Sequence, residues 1–234
     1  PLGQGALRRA RERENWPVLH GFSRALVPRP ADWRSGLQVV GNWWPHPAPD
    51  HRLPDEVEDF LRAGPPPVFV GFGSMAAGDG ERLSGLVVDA LRRAGVRGVL
   101  QSGWAGLVAE TANGSDVLTV GELPHALLFP RTAAVVHHAG AGTSAAALRA
   151  GVPSVPVPVM ADQPFWAARL AAAGAAPRPV PYADLTVERL AAAVRLAVDD
   201  RMHRARAEAA ARRMVCEHGA ARVAEAVAAL VDGR

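Results

Sequence analysis

The sequence predicts an α/β fold, in which a Rossmann-like parallel sheet carries helices on both faces. Three observations predict this class. Short apolar runs are typical of buried parallel strands, stretches with apolar residues at helical spacing separate them, and glycines stand at the joins. Strands that alternate with helices in this way form a parallel sheet covered by its crossover helices.

The predicted elements follow one another from residue 55 onward. A short helix is predicted at 55–63, before a Gly-Pro-Pro-Pro stretch, and the apolar residues 68–71 form the first strand. The next helix, 81–93, has apolar residues at helical spacing and ends before Gly95. Further strands are predicted at 96–100, 117–120, 133–137, 154–159 and 176–180. Further helices are predicted at 144–150, 163–173, 187–198, 201–218 and 220–231, the first two ending at Gly151 and Gly174.

The first 45 residues differ from the rest of the chain. Residues 8–14 form a charged, helix-compatible run, and the four prolines at positions 45, 47, 49 and 54 indicate an extended, semi-rigid connector. We therefore predict a linker segment at 1–45, the α/β domain at 46–214 and a C-terminal helix at 215–234.

Composition and charge favour a globular protein. Of 234 residues, 49% are hydrophobic and 21% are charged, which disfavours disorder. The sequence pI of about 10.2 is a weak indication of nucleic-acid binding, because every basic residue is Arg and the net charge is only +3. We predict no nucleic-acid partner.

Cysteine content and hydropathy restrict the location of the protein. Cys216 is the single cysteine, which excludes an internal disulfide and a CxxC zinc site and is compatible with the cytoplasm. Pro or Arg interrupts each apolar stretch before it reaches the length of a membrane span. The sequence therefore predicts a cytoplasmic protein without a membrane span.

The end of the first strand carries a glycine turn. Because ligands of such sheets bind outside the carboxyl ends of the strands, these ends are the candidate sites. Gly71-Phe72-Gly73-Ser74-Met75-Ala76 matches G-x-G-x-x-A, but the second strand ends in Gln101-Ser102-Gly103 without the acidic residue that a dinucleotide site needs. Gly73 and Ser74 then form either a phosphate cradle or an ordinary turn with Ser74 as a helix cap.

Two further strand ends carry candidate ligand contacts. Trp104 follows the second strand, where it either stacks on a flat base or packs against the protein. The fourth strand runs through His137 and His138 into Gly140, Gly142 and Thr143, which open a helix. Glycines allow close approach of a ligand, and the free N–H groups of a helix start bind anions. Thr143 and Ser144 are candidate caps, and only one of the two imidazoles can face a ligand because side chains alternate along a strand.

The fifth strand ends in Asp162 and Gln163. Asp162 either caps the following helix or, with the Gln163 amide, binds the vicinal hydroxyls of a sugar. A base platform, two phosphate-binding turns and a hydroxyl reader on one sheet edge make the footprint of a nucleotide-sugar.

The order of these motifs resembles a known family. Residues 67–177 resemble the donor half of the GT-B glycosyltransferases that act on small lipophilic acceptors, which include plant, sterol and antibiotic glycosyltransferases. Residues 21–30 and 41–44 resemble the segment that joins the two halves in sterol-type bacterial members. By this resemblance, residues 1–45 would be the end of the N-terminal acceptor domain and the interdomain linker, and residues 46–214 the domain that binds the nucleotide-sugar donor. The signature comprises Val120-Gly121-Glu122-Leu123-Pro124-His125, His137-His138-Ala139-Gly140-Ala141-Gly142-Thr143, Arg149-Ala150-Gly151-Val152-Pro153 and Asp162-Gln163-Pro164.

The resemblance implies a two-domain inverting transferase with its donor nucleotide in the second domain. Ser74, His138 and the backbone from Gly140 to Thr143 would hold the phosphates of a UDP- or TDP-sugar. Trp104 and the backbone near Leu123 would hold the base, and Asp162 with Gln163 the sugar. Ala139 departs from the Gly of many bacterial relatives.

The resemblance also implies what lies outside this chain. The family needs no metal here, and we expect no cofactor. Its general base, a His in the N-terminal acceptor domain, has no counterpart in this sequence, so the catalytic residue is unknown and the expected partners are that domain and a small lipophilic acceptor. A noncatalytic nucleotide-binding or partner-docking module is the alternative, and a redox enzyme is a distant third.

Overall fold

The computed structural model describes residues 4–45, 52–73, 80–103 and 116–232. Within these ranges the helices are α1 (Gln4–Arg13), α2 (Asp55–Arg62), α3 (Gly80–Ala94), α4 (His125–Leu128), α5 (Ala141–Arg149), α6 (Gln163–Ala172), α7 (Val187–Asp199), α8 (Arg201–Met214) and α9 (Gly219–Val231). The strands are β1 (Val18–His20), β2 (Leu37–Val39), β3 (Val68–Gly71), β4 (Gly98–Gln101), β5 (Val117–Val120), β6 (Ala134–His137) and β7 (Ser154–Pro156).

The chain divides into two compact units. The first comprises residues 1–46 and 213–234, and the second residues 47–212. In the first unit, β1 and β2 pair in parallel, and the Glu217 carboxylate accepts hydrogen bonds from the Ser23 hydroxyl and the Arg24 N–H, both at 3.0 Å. The C-terminal segment, which includes α9, therefore packs in the same unit as the N-terminal segment.

The second unit is built on a five-stranded parallel sheet in the order β5-β4-β3-β6-β7. Each neighbouring pair is parallel, and Gly71 lies opposite His137 in the register of β3 and β6. The sequence prediction of a parallel α/β sheet is confirmed. Because every strand runs the same way, the carboxyl ends of β3, β4, β6 and β7 lie at one edge.

Successive residues of the central strands pack into different cores. Val68 and Val70 belong to a cluster with residues of α3 and α7, and Phe69 belongs to a cluster with residues of α2, α4 and α5. This alternation follows from the two-residue period of a strand. It confirms the prediction of helices on both faces.

The strand predicted at 176–180 is wrong. In the described residues the sheet ends at β7, and beside it the chain makes isolated bonds, from the Val180 N–H to the Pro156 carbonyl and from the Tyr182 N–H to the Pro158 carbonyl, both at 3.0 Å. Pro156 and Pro158 have no N–H to donate in return, so a regular ladder does not form.

Two helix boundaries differ from the prediction by more than one residue. Helix α5 begins at Ala141 and not at residue 144, and the helix predicted at 201–218 ends at Met214. None of the helices within the described ranges is long and apolar enough to cross a membrane.

Candidate functional site

The strand ends at the carboxyl edge bring Gly73, His138 and Gly140 together. A Cβ atom added at Gly73 would lie 3.3 Å from His138 Cε1, and one added at Gly140 would lie 2.5 Å from His138 Nε2. The His138 ring is therefore next to both the turn after β3 and the turn before α5. Gly73 also has φ +58, a conformation that favours glycine. The two predicted phosphate turns thus meet at one imidazole.

His137 is held inside the protein. It is the last residue of β6 and is fully buried, and its Nδ1 accepts the backbone N–H of Ala139 at 3.1 Å. Burial lowers its pKa to about 3, and the charges of His138 and His125 act in the same direction. The ring is therefore neutral at neutral pH and carries its proton on Nε2, which has no hydrogen-bond partner among the described residues.

His138 follows the last residue of β6 and is half-buried. The burial of the two side chains agrees with the alternation expected along a strand, because His137 is buried and His138 is half-buried. Burial lowers the pKa of His138, and the negative charge of Asp162 acts to raise it. The carboxylate of Asp162, which follows β7, is thus close enough to His138 to influence its charge.

The start of α5 is open to a ligand. Gly140 occupies the N-cap position without a side-chain cap, so the prediction that Thr143 or Ser144 caps this helix is wrong. Both residues lie in the first turn, where the Ser144 N–H already bonds to the Gly140 carbonyl at 2.9 Å. A Cβ atom at Gly142 would meet nothing within 4 Å. The first N–H groups of α5 therefore provide partial positive charge at an accessible surface.

Asp162 precedes α6, and its carboxylate is exposed. It occupies the N-cap position but makes no side-chain cap hydrogen bond, so the capping alternative is wrong. Instead, the indole N–H of Trp166 donates to Asp162 Oδ2 at 2.7 Å. Sequence reasoning missed this pair, although the spacing of four residues on a helix is a signal for it.

Gln163 differs from its neighbour. It is only 5% exposed, and its Oε1 accepts the backbone N–H groups of Val159 at 2.8 Å and Met160 at 3.0 Å. This amide oxygen therefore holds the segment between β7 and α6. The sequence contains no pattern that distinguishes this role from the hydroxyl-binding role predicted for Gln163.

The remaining predicted residues fall into two groups. Leu123 is buried in the cluster that contains Phe69 and Phe129, so a contact to a base would come from its backbone. Ser74 and Trp104 lie outside the described residues.

Two further observations concern His125 and metal binding. The His125 ring stacks on Phe129 with centroids 4.2 Å apart, and burial lowers its pKa while the charge of Glu122 opposes this. No group of three or more His, Cys, Asp or Glu side chains in the described part of the chain could hold a metal ion.

The chain is similar to one protein family and to several known proteins. Residues 108–230 match the family described as erythromycin biosynthesis protein CIII-like, C-terminal domain. The chain is 38% identical over 206 residues to sterol 3-beta-glucosyltransferase UGT80A2 of Arabidopsis thaliana, covering 87% of this chain and 32% of that protein. It is 44% identical over 205 residues to O-mycaminosyltylonolide 6-deoxyallosyltransferase of Streptomyces fradiae, covering 87% and 47%.

Two solved structures share the fold. The glycotransferase of kitacinnamycin superposes with a TM-score of 0.73 at 24% identity, covering 90% of this chain and 54% of that one. Glycosyltransferase VinC in complex with DTDP gives a TM-score of 0.59 at 28% identity, covering 76% and 44%.

The chain spans about a third to a half of the length of the two curated relatives described above. The family match covers more than half of this chain, and the matched family is one of C-terminal domains. Both the resemblance predicted from the motifs and the fold class are confirmed. The chain belongs to the erythromycin biosynthesis protein CIII-like C-terminal domain family and has the fold of the C-terminal half of GT-B glycosyltransferases.

Proposed function

We propose that this chain is the donor-binding domain of a glycosyltransferase. The whole enzyme would transfer a hexose from a UDP- or TDP-sugar to a hydroxyl of a small lipophilic acceptor, with inversion at the anomeric carbon. The observation that carries the proposal is the position of His138, which is next to Gly73 and Gly140 at the uncapped start of α5 and is influenced by the charge of Asp162.

The diphosphate of the donor would bind at the start of α5. The N–H groups of Ala141, Gly142 and Thr143 supply hydrogen bonds and the positive end of the helix dipole. The His138 imidazole adds a further donor, and a bound phosphate would favour its protonation. Ser74 joins this cradle in the proposal. VinC, which has the same fold, was solved in complex with DTDP.

The sugar would bind beside the diphosphate, at Asp162. The exposed carboxylate accepts a hydroxyl hydrogen, and Gln163 takes part through its amide NH₂ group, since its oxygen is bonded to the backbone. Trp104 would stack on the base, and the backbone at Leu123 would bond to its edge. No metal or other cofactor is part of this proposal.

The chemistry requires a group beyond this chain. An acceptor hydroxyl attacks the anomeric carbon while a general base takes its proton, and the bond to the nucleoside diphosphate breaks. The α5 N–H groups and His138 stabilise the negative charge that develops on the leaving diphosphate. The base belongs to the N-terminal acceptor domain in this proposal.

The exposed single cysteine, Cys216, supports a cytoplasmic location.

Calorimetric titration with UDP and TDP tests the proposal. We expect the chain to bind one of them, and His138→Ala to weaken that binding by about 10- to 150-fold, because a hydrogen bond from a charged donor is lost. His203→Ala is the matched control, since His203 is also largely buried but bonds to the Gly174 carbonyl at the far end of α6.

Two results would contradict the proposal. If His138→Ala and His203→Ala change the affinity equally, the phosphate site is not at His138. If neither UDP nor TDP binds the folded wild-type chain, the donor-binding function itself is wrong. Sugar transfer by this chain alone at about 1–10³ s⁻¹, the usual range of whole enzymes, would show that the base does not lie in another domain.

A further inference from the structure

The carboxylate of Asp162 is held in one orientation by the indole of Trp166. The indole Nε1–H of Trp166 donates to Asp162 Oδ2 at 2.7 Å. An indole N–H can donate but cannot accept, so this bond fixes which carboxylate oxygen faces the helix. With Oδ2 engaged, Oδ1 is the oxygen left to accept a hydroxyl from outside.

Trp166 is itself immobilised by packing. It is 8% exposed, and the ring of Phe165 stands nearly perpendicular to it, with the centroids 5.1 Å apart. Helical side chains lean toward the N-terminus of their helix, which brings residue 166 over residue 162 one turn earlier. The donor is therefore in place before any ligand arrives.

The segment just before Asp162 is also held in place. Gln163 Oε1 accepts the N–H groups of Val159 and Met160, which fixes the segment that leads from β7 to α6. The segment that precedes Asp162 is thus held by a buried amide, and the Asp162 side chain is held by a buried indole. A binding group restrained in this way loses little conformational freedom when a ligand binds.

We propose that Trp166 is a specificity-determining residue of the donor site, which positions Asp162 so that Oδ1 recognises a hydroxyl of the transferred sugar. This proposal rests on the proposed function, because it needs Asp162 to face the sugar of a nucleotide-sugar. In this proposal Trp166 is the residue that allows the site to distinguish a nucleotide-sugar from the free nucleotide. Trp166 makes no contact with the substrate in this role and acts through Asp162.

Trp166→Phe tests the role, because it keeps an aromatic ring in the packed position and removes the N–H donor. The measurement is the calorimetric affinity for UDP-glucose and TDP-glucose, each compared with UDP and TDP. We expect the variant to bind the nucleotide-sugar about 3- to 30-fold more weakly and the free nucleotide with less than twofold change. Trp16→Phe is the matched control: it makes the same substitution at an exposed indole of the first unit, and should leave the ratio of the two affinities unchanged.

A double-mutant cycle separates positioning from a general structural effect. In an Asp162→Ala background, Trp166→Phe should change the ratio of the two affinities by less than twofold, because the acceptor that it positions is gone. If Trp166→Phe weakens nucleotide and nucleotide-sugar equally, or has the same effect in both backgrounds, the positioning role is overturned.

The indole resonance of the wild-type chain provides a test that does not need a Trp166 variant. We expect the Nε1–H proton signal of Trp166 to move upfield in Asp162→Ala, since its charged acceptor is lost. An unchanged signal overturns the proposal. If Asp162→Asn leaves the affinity ratio unchanged while His138→Ala still weakens UDP or TDP, Asp162 does not read the sugar and Trp166 has no such role. In that case the nucleotide-binding function still stands.

Discussion

Two strand-to-helix turns of the second unit have a similar backbone conformation but are held by different side chains. One leads from β6 to α5 and the other from β7 to α6. Each contains an alanine in the left-handed region, Ala139 with φ 61 and Ala161 with φ 55. This conformation is unfavourable for a residue with a Cβ atom, so other contacts must hold each turn.

A buried polar side chain provides those contacts in both turns. In the first, His137 comes from the preceding strand and accepts the N–H of Ala139. In the second, Gln163 comes from the following helix and accepts the N–H groups of Val159 and Met160. Each is adjacent in sequence to a more exposed polar residue, His138 or Asp162. In both pairs one member holds the turn and leaves its neighbour at the surface where the ligand is proposed to bind.

The two turns differ in what can break them. An amide holds its turn by two hydrogen bonds and does not titrate, whereas an imidazole holds its turn by one bond and can gain a proton. We therefore expect the β7–α6 turn to be more sensitive to substitution and the β6–α5 turn to be the one that acid affects.

Gln163→Met has the largest expected effect. Methionine has a similar shape, but it cannot accept the two backbone N–H groups, which would be left without a partner. We expect the free energy of unfolding to fall by about 2–4 kcal/mol in chemical denaturation. Asp162→Asn is the control, because asparagine keeps an oxygen that can accept the Trp166 N–H, and we expect the free energy of unfolding to change by less than about 1 kcal/mol. Equal stabilities of the two variants would show that the Gln163 amide does not hold the turn.

Acidification should weaken the β6–α5 turn by a smaller amount. The pKa of His137 is about 3 in the folded chain, against 6.5 for an unperturbed imidazole. Above pH 6.5 the ring is neutral in both states and does not affect the pH dependence. Between pH 6.5 and about 3 the unfolded chain takes up a proton that the folded chain does not, so the free energy of unfolding falls as the pH falls.

The expected loss from His137 between pH 7.5 and pH 5 is about 2 kcal/mol. The lowered pKa values of His125 and His138 add to the loss in the same direction. Denaturation of the wild type and of His137→Asn at several pH values measures the part that belongs to His137, since asparagine keeps an acceptor and does not titrate. If the free energy of unfolding depends on pH equally in both proteins, His137 takes up a proton in the folded chain as readily as in the unfolded chain.

The sequence predicted one of these pairs better than the other, for a physical reason. His137 and His138 stand at the end of a strand, where side chains alternate, so the prediction that only one of the two imidazoles can face a ligand followed from the period of two. Asp162 and Gln163 follow a strand that stops at Pro156, and no fixed period applies to an irregular turn. The turn that contains them has Ala161 in the left-handed region, and the sequence did not indicate that conformation.

A similar limit applies to the fold. The five strands of the second unit were all predicted near their observed positions, because apolar runs and glycine joins report directly on buried strands. The strand predicted at 176–180 was wrong because a hydrophobic pattern carries no information about the backbone N–H donors of the neighbouring segment. Pro156 and Pro158 remove donors from the strand that it would have joined, and this is visible only once the two segments are known to be neighbours.

The smallest expected effect concerns the two alanines, and it tests whether the turns are strained to the same degree. Glycine adopts the left-handed region freely, so Ala→Gly relieves strain of about 1–2 kcal/mol and loses about 0.5–1 kcal/mol through the greater freedom of the unfolded chain. Ala161 is exposed, and we expect Ala161→Gly to raise the free energy of unfolding by about 0.5–1 kcal/mol. Ala139 is fully buried, so Ala139→Gly also removes a packed methyl group and should gain less or nothing. Thermal and chemical denaturation of the two variants measure the difference. If Ala139→Gly stabilises more than Ala161→Gly, the turn before α5 carries the greater strain, and burial of the methyl group does not offset it.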